Sequence, residues 1–188
     1  MNIEIIGVTA SHVDDLIYIG TNKFSKLVID VLMHVFKVSK HEVENFVFTG
    51  WTLKQNKEGI ILSQQDYLQN LDMNKYLDLA RCQGTAETTA PDNIQDLFRS
   101  LNGVLGWIAQ VSHPTLSYHF IHYSTKLGKA TAKDARGIYK LVMKAKSNPI
   151  DIKFSNLGPV ENWELMCFSD SSWAKLEGKE TVNGNITF

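Results

Sequence analysis

Two short β-type apolar runs open the chain, "IEIIGVTASH" and "LIYIG", parted by the polar corner "VDD". Apolar runs of this length around a turn read as a hairpin of core strands. Phe24, Leu27, Val28, Val31, Leu32 and Val35 then recur at steps of three and four. That spacing predicts an amphipathic helix of about four turns, capped near Thr21 or Asn22. "NFVFTGWTLKQ" and "GIILSQ" follow as β-runs joined by the turn-like "NKEG", a second hairpin, and "QQDYLQNLDM" reads as a short helix. "LARCQGTAETTAPDN" is polar, shows no period and holds a Gly and a Pro, the marks of a linker.

Beyond it the period turns helical. Ile94, Leu97, Leu101, Leu105 and Ile108 mark one helix. "PTLSYHFIHYSTKL" opens with Pro114 in a first-turn position and marks a second. "TAKDARGIYKLVMKAKSN", ended by Pro149, is the third, with Ile138, Leu141, Val142 and Ala145 on one face. "IDIKFS", "WELMCFSD" and "GNITF" return to strand pattern. The expected fold is α+β: residues 1–80, a linker over 81–92, a helical region over 93–149, and the opening of a second β unit over 150–188.

Composition narrows the function classes. The 188 residues are 44% hydrophobic, enough for a core, and carry a net charge of −1. That total argues against wholesale electrostatic binding of nucleic acid, yet it hides a division. Between Tyr123 and Lys153 eight Lys and Arg face two acids, a local charge of +6 that leaves −7 elsewhere. Lys133, Arg136, Lys140 and Lys144 lie three, four and four apart, on one helix face. A basic stripe opposite an apolar one suits a phosphate backbone; a solvated lysine face is the plainer alternative. Cys82 and Cys167 fit neither a disulfide framework nor a zinc spacing, which points to reduced intracellular thiols. No apolar run approaches a membrane span, and the first residues do not resemble a signal peptide.

The candidate chemistry is the pair Asp14 and Asp15. Adjacent carboxylates repel, and a divalent cation relieves the conflict. Mg²⁺ takes one or two carboxylates and keeps positions for water and phosphate, as in two-metal phosphoryl transfer. An exposed acidic turn that binds nothing is the competing interpretation. His119 and His122 are three apart but lack a third ligand nearby and read as surface or packing residues.

The ordered series "HVDD", helix, "FVFTGW", "GIILSQQDY", "FRSLNGVLGWIAQVSHPTLSY" and "FSDSSWAKLEGKETVNGNITF" resembles the reverse transcriptase of copia-type retrotransposons over nearly the whole chain. The resemblance implies a partial polymerase palm of antiparallel sheet and helix, a helical thumb, and an incomplete ribonuclease H-like β unit. It implies that Asp14 and Asp15 hold catalytic Mg²⁺, with Mn²⁺ as a substitute, and that Asp170 is the first metal-binding carboxylate of ribonuclease H. Phe48, Thr49, Gly50 and Trp51 match the primer-grip hairpin, and Lys133, Arg136, Lys140 and Lys144 would track an RNA/DNA template–primer duplex. The implied substrates are deoxynucleotides and the implied setting is the cytoplasm, within a virus-like particle, with no membrane.

The chain also departs from the family. His12 stands where many members have Tyr, and "SHPTL" replaces the frequent Thr-Arg-Pro-Asp with His113 and Thr115 in the charged places. In the family the fingers and a further palm aspartate precede the paired aspartates. The only acids after Asp170 are Glu177 and Glu180, so the later ribonuclease H carboxylates have no counterpart. The expectation is a fragment truncated at both ends, inactive by itself and completed by the missing fingers and palm half. A nucleic-acid-binding remnant and an inert truncated product are the alternatives.

Overall fold

The computed structural model describes residues 4–38, 40–159, 162, 164, 167–172 and 182–187, the last two stretches as backbone. The fold mixes helices with antiparallel strand pairs and divides into two compact units, Met1–Phe154 and Ser155–Phe188.

In the first unit, β1 (Gly7–His12) and β2 (Asp15–Gly20) form a hairpin whose register pairs His12 with Asp15 and Gly7 with Gly20. Those two glycines lie beneath the Phe24 ring, and a Cβ at either would overlap it. Thr21, one of the two expected caps, accepts from the Phe24 amide and ties back to the Ile6 carbonyl through its own N–H and hydroxyl. A helical stretch follows as α1 (Asn22–Phe24), a π-helical turn (Ser25–Ile29) and α2 (Asp30–Phe36). Lys37, at φ 48°, closes it in left-handed conformation.

Two expectations are corrected here. The first hairpin is not a buried one: most of its positions are exposed. The apolar helix face is also only half used. Phe24 and Ile29 are buried while Leu27, Val31 and Val35 stay 60%, 54% and 63% exposed, and the π-turn, with its extra residue per turn, rotates the face that carries the last two.

The second sheet has the order β3 (Asn45–Phe48), β4 (Trp51–Asn56), β5 (Gly59–Ser63), β6 (Asp151–Ser155). The run "NFVFTGWTLKQ" holds two strands, folded at Thr49 and Gly50 with φ 48° and 87°, within the "FTGW" segment that the resemblance matches to a hairpin. Positive φ at both central residues is the mark of a two-residue hairpin loop whose twist matches the strands. Beyond β5 come α3 (Gln65–Asn70), a 3₁₀ turn (Met73–Tyr76) and α4 (Leu77–Arg81).

The core of this unit lies among α3, α4, α5 (Asp92–Val111), α6 (Ser117–Ser124) and α7 (Ala132–Ser147). Phe98, Leu101, Leu105, Ile108, Ile138 and Val142 are fully buried. A Cβ at Gly106 would sit 2.6 Å from the Phe120 ring, so glycine lets α6 approach α5. Pro114 opens the 3₁₀ turn before α6 as its sequence position suggests. The segment between Arg81 and Asp92, read as a linker, is pinned to the helical block. Ala90 N–H donates to the Ala130 carbonyl at 2.8 Å, Thr89 bridges Thr131, and the buried Gln95 amide bonds both sides of the junction.

In the second unit, β7 (Cys167–Ser172) and β8 (Val182–Thr187) pair antiparallel.

Candidate functional site

Asp14 and Asp15 stand where the first hairpin reverses, Asp14 in the loop and Asp15 at the first position of the return strand. Both are exposed. Val13 before them holds φ 55° and is 91% exposed. A β-branched residue in left-handed conformation is strained, so the acids sit beside stored backbone energy of about 1 kcal/mol or more. Carboxylate oxygens are the right donors for Mg²⁺. Among the described residues, however, no group of three His, Cys, Asp or Glu side chains comes together. The fit to one hard cation is thus chemical, and a complete two-metal set is not assembled from these residues. Asp170 belongs to the other unit, where it pairs in register with Gly184. Glu177 and Glu180 lie outside the described residues.

Phe48 and Trp51 flank the second hairpin loop as a cross-strand pair, ring centroids 5.4 Å apart and edge-on. Thr52 donates to the Asp66 carboxylate at 3.3 Å, tying β4 to α3. Nothing crowds Gly50, where an added Cβ would stand 3.9 Å from its nearest neighbour, the Tyr67 ring; positive φ is what favours glycine there.

The basic stripe of α7 separates into two kinds. Arg136 turns to the loop and donates to the carbonyls of Cys82 and Gly84. Lys133, Lys140 and Lys144 are exposed and have no ion-pair or side-chain hydrogen-bond partner among the described residues. The capping box at the start of α7 is complete: the Thr131 side chain accepts from the Asp134 amide, and Asp134 accepts from Thr131 N–H at 2.9 Å. Lys146 caps the end of α3, donating to the Gln69 and Leu71 carbonyls at 2.8 and 2.7 Å. His119 and His122 join no metal-ligating group among the described residues, and His122 stacks on Tyr118 with ring centroids 6.2 Å apart.

One polar feature has no signal in the sequence pattern. Gln64, Ser112 and His113 are buried together. The Ser112 hydroxyl lies 2.7 Å from Gln64 Oε1 and 2.8 Å from His113 Nδ1, and His113 Nε2 lies 3.3 Å from the Asn148 carbonyl. The "SHPTL" segment therefore serves through Ser112 and His113 as an internal link from the start of α3 to the end of α7.

Comparison with family models, curated proteins and solved structures finds no match to this chain.

Proposed function

We propose that the chain is the palm, thumb and opening ribonuclease H portion of a copia-type reverse transcriptase, an enzyme that copies RNA into DNA in the cytoplasm. The observation that carries the reading is the acid-tipped hairpin backed by a helix, Asp14 and Asp15 at the reversal and Phe24 packed across its base. The tight Phe48–Trp51 hairpin and a helical block whose Lys133, Lys140 and Lys144 have no partner among the described residues support it in the same order along the chain.

In this reading Asp14 and Asp15 hold Mg²⁺, which when bound stabilises charge on a transferring phosphoryl group. Among the described residues no third carboxylate joins them. The chain alone is then inactive in primer extension, and extension that disappears on Asp14→Asn would overturn this assignment. Lys133, Lys140 and Lys144 contact duplex phosphates, with Gly50 and Trp51 near the primer.

The test is binding of an RNA–DNA hybrid followed by fluorescence anisotropy across a salt series. Affinity should fall steeply with salt, because lysines that neutralise phosphates release counterions. Charge reversal at Lys133 and Lys140 should abolish it. Absence of binding at low salt would end the reading.

A second reading, a nucleic-acid-binding module without catalysis, is favoured by one contrast. Lys133, Lys140 and Lys144 sit on the best-buried scaffold of the first unit, and the acids on an exposed hairpin. Paramagnetic broadening of the Asp14 and Asp15 amides by Mn²⁺ separates the two, since only the polymerase reading requires it.

A further inference from the structure

A hollow of about 390 Å³ opens between α6 and α7, walled by His122, Tyr123, Lys126, Lys133, Asp134 and Gly137. Its charged groups differ from the other bases nearby. Arg136 and Lys146 are occupied by backbone carbonyls, and Lys153 lies 3.7 Å from Glu58. Lys126 and Lys133 have no such partner among the described residues, although both face one concavity. The acid beside them is committed elsewhere: one Asp134 carboxylate oxygen accepts both the N–H and the hydroxyl of Thr131, at 2.9 and 2.8 Å.

The remaining wall also offers donors. Tyr123 packs edge-on against Phe98, and its hydroxyl reaches the α7 backbone at Gly137, where a Cβ would stand 2.6 Å from it. Glycine at 137 thus makes room for that hydroxyl. Burial first, and then the Asp134 charge, push the Tyr123 pKa upward, so the group remains an O–H donor at neutral pH. Two lysines and a tyrosine line one space, and the one acid lining it is Asp134. The volume exceeds that of a bare phosphate and lies within the range of small-molecule pockets, about 300–1,000 Å³. The flat rings of His122 and Tyr123 add a wall against which a sugar or base can rest.

We propose that this hollow binds a phosphate ester of a nucleotide, the phosphate seated between Lys126 and Lys133 with the Tyr123 hydroxyl donating to it. The site extends the lysine edge of α7 onto the turn that follows α6, and it rests on the preceding reading only for the expectation that the ester belongs to a nucleic-acid strand. Amide-resolved NMR titration of the full chain with adenosine 5′-monophosphate and with a short single-stranded oligonucleotide tests it. Both probes should shift amides of residues 122–137, and tighter binding of the oligonucleotide marks a strand as the source. Lys126→Gln with Lys133→Gln should weaken binding by about tenfold or more, the loss expected for charge-assisted contacts. Gly137→Ala should weaken it without changing charge, by displacing the Tyr123 hydroxyl. No shift with either probe, or shifts that survive the double lysine variant, would overturn the proposal. Mononucleotide binding at the hollow in a chain that ignores an RNA–DNA hybrid would keep this inference and remove the polymerase reading. Hybrid binding lost on Lys140→Gln with Lys144→Gln, while residues 122–137 stay silent, would do the reverse.

Discussion

Residues 4–38 leave most of their large apolar side chains in solvent, whereas residues 64–148 close theirs into one core. On the hairpin and its helix, Phe24 and Ile29 are buried, against exposed Val8, Ile19, Leu27, Val31, Val35 and Phe36. In the helical block Phe98, Leu101, Leu105, Ile108, Ile138 and Val142 are sealed from water. Burial of apolar area is the main favourable term in folding, so the two regions hold their shape with unequal strength. The candidate acids therefore ride on the weaker scaffold and the candidate phosphate contacts on the stronger one. Nucleic-acid binding is expected to outlast disturbance of the hairpin.

The largest effect should come from removing one ring from each region. Phe98→Ala opens a cavity in a fully buried site and should cost about 3–5 kcal/mol, read as a shift of the helical block's unfolding midpoint. Phe24→Ala should remove hydrogen-exchange protection from the β1–β2 amides while leaving that midpoint where it was. Equal shifts from the two variants would mean that hairpin and block unfold as one unit, and the comparison would fail.

A smaller change should sharpen it. Val13 and Thr49 are both β-branched residues at positive φ in hairpin loops. Val13→Gly and Thr49→Asn relieve that strain, each by about 1 kcal/mol, and Thr49→Asn also creates the Asn-Gly pair that such loops favour. Exchange protection should rise in each variant's own hairpin. If Val13→Gly also weakens Mn²⁺ broadening at Asp14, the strain helps to present the carboxylates. Unchanged broadening would make it a local cost of the turn.

The contrast between regions also marks how far the pattern of residues could be read. The acid corner, the Thr21 cap, the Pro114 start and the buried face of α7 follow from local rules, because turn residues, caps and periodicity act within a few positions. Exposure of Leu27, Val31 and Val35 does not, because periodicity reports that a helix has an apolar face and not whether another element covers it. The π-turn that rotates this face has no signature in "SKLVI". Gln95 is equally silent: its amide bonds Ala90 and Ala130, which are brought to it only by the folded chain. Arg136 reads in the sequence as one of four equivalent cations, and only the fold brings the loop at Cys82 and Gly84 within its reach. The metal and primer-grip assignments rest on family resemblance, since two adjacent acids and a tight turn specify no chemistry alone.

The smallest expected effect is one of pH, and it belongs to the helical block. Tyr67 and Tyr123 both have pKa values raised above 10.0, chiefly by burial, with the charge of Tyr76 adding for the first and that of Asp134 for the second. In the unfolded chain these phenols lose their protons near pH 10, while the folded chain retains them to higher pH. The unfolded state then binds fewer protons, so stability falls as pH rises through that window. Below the unfolded value the contribution is fully present, and stability should be flat with respect to these two groups. Denaturant midpoints measured upward from about pH 9 should decline, and Tyr67→Phe with Tyr123→Phe should flatten part of that decline. The same double variant removes the hydroxyl from the α6–α7 hollow. It should therefore weaken nucleotide binding at neutral pH, where neither phenol is ionised. A decline that persists undiminished in the double variant would place its cause outside these two side chains.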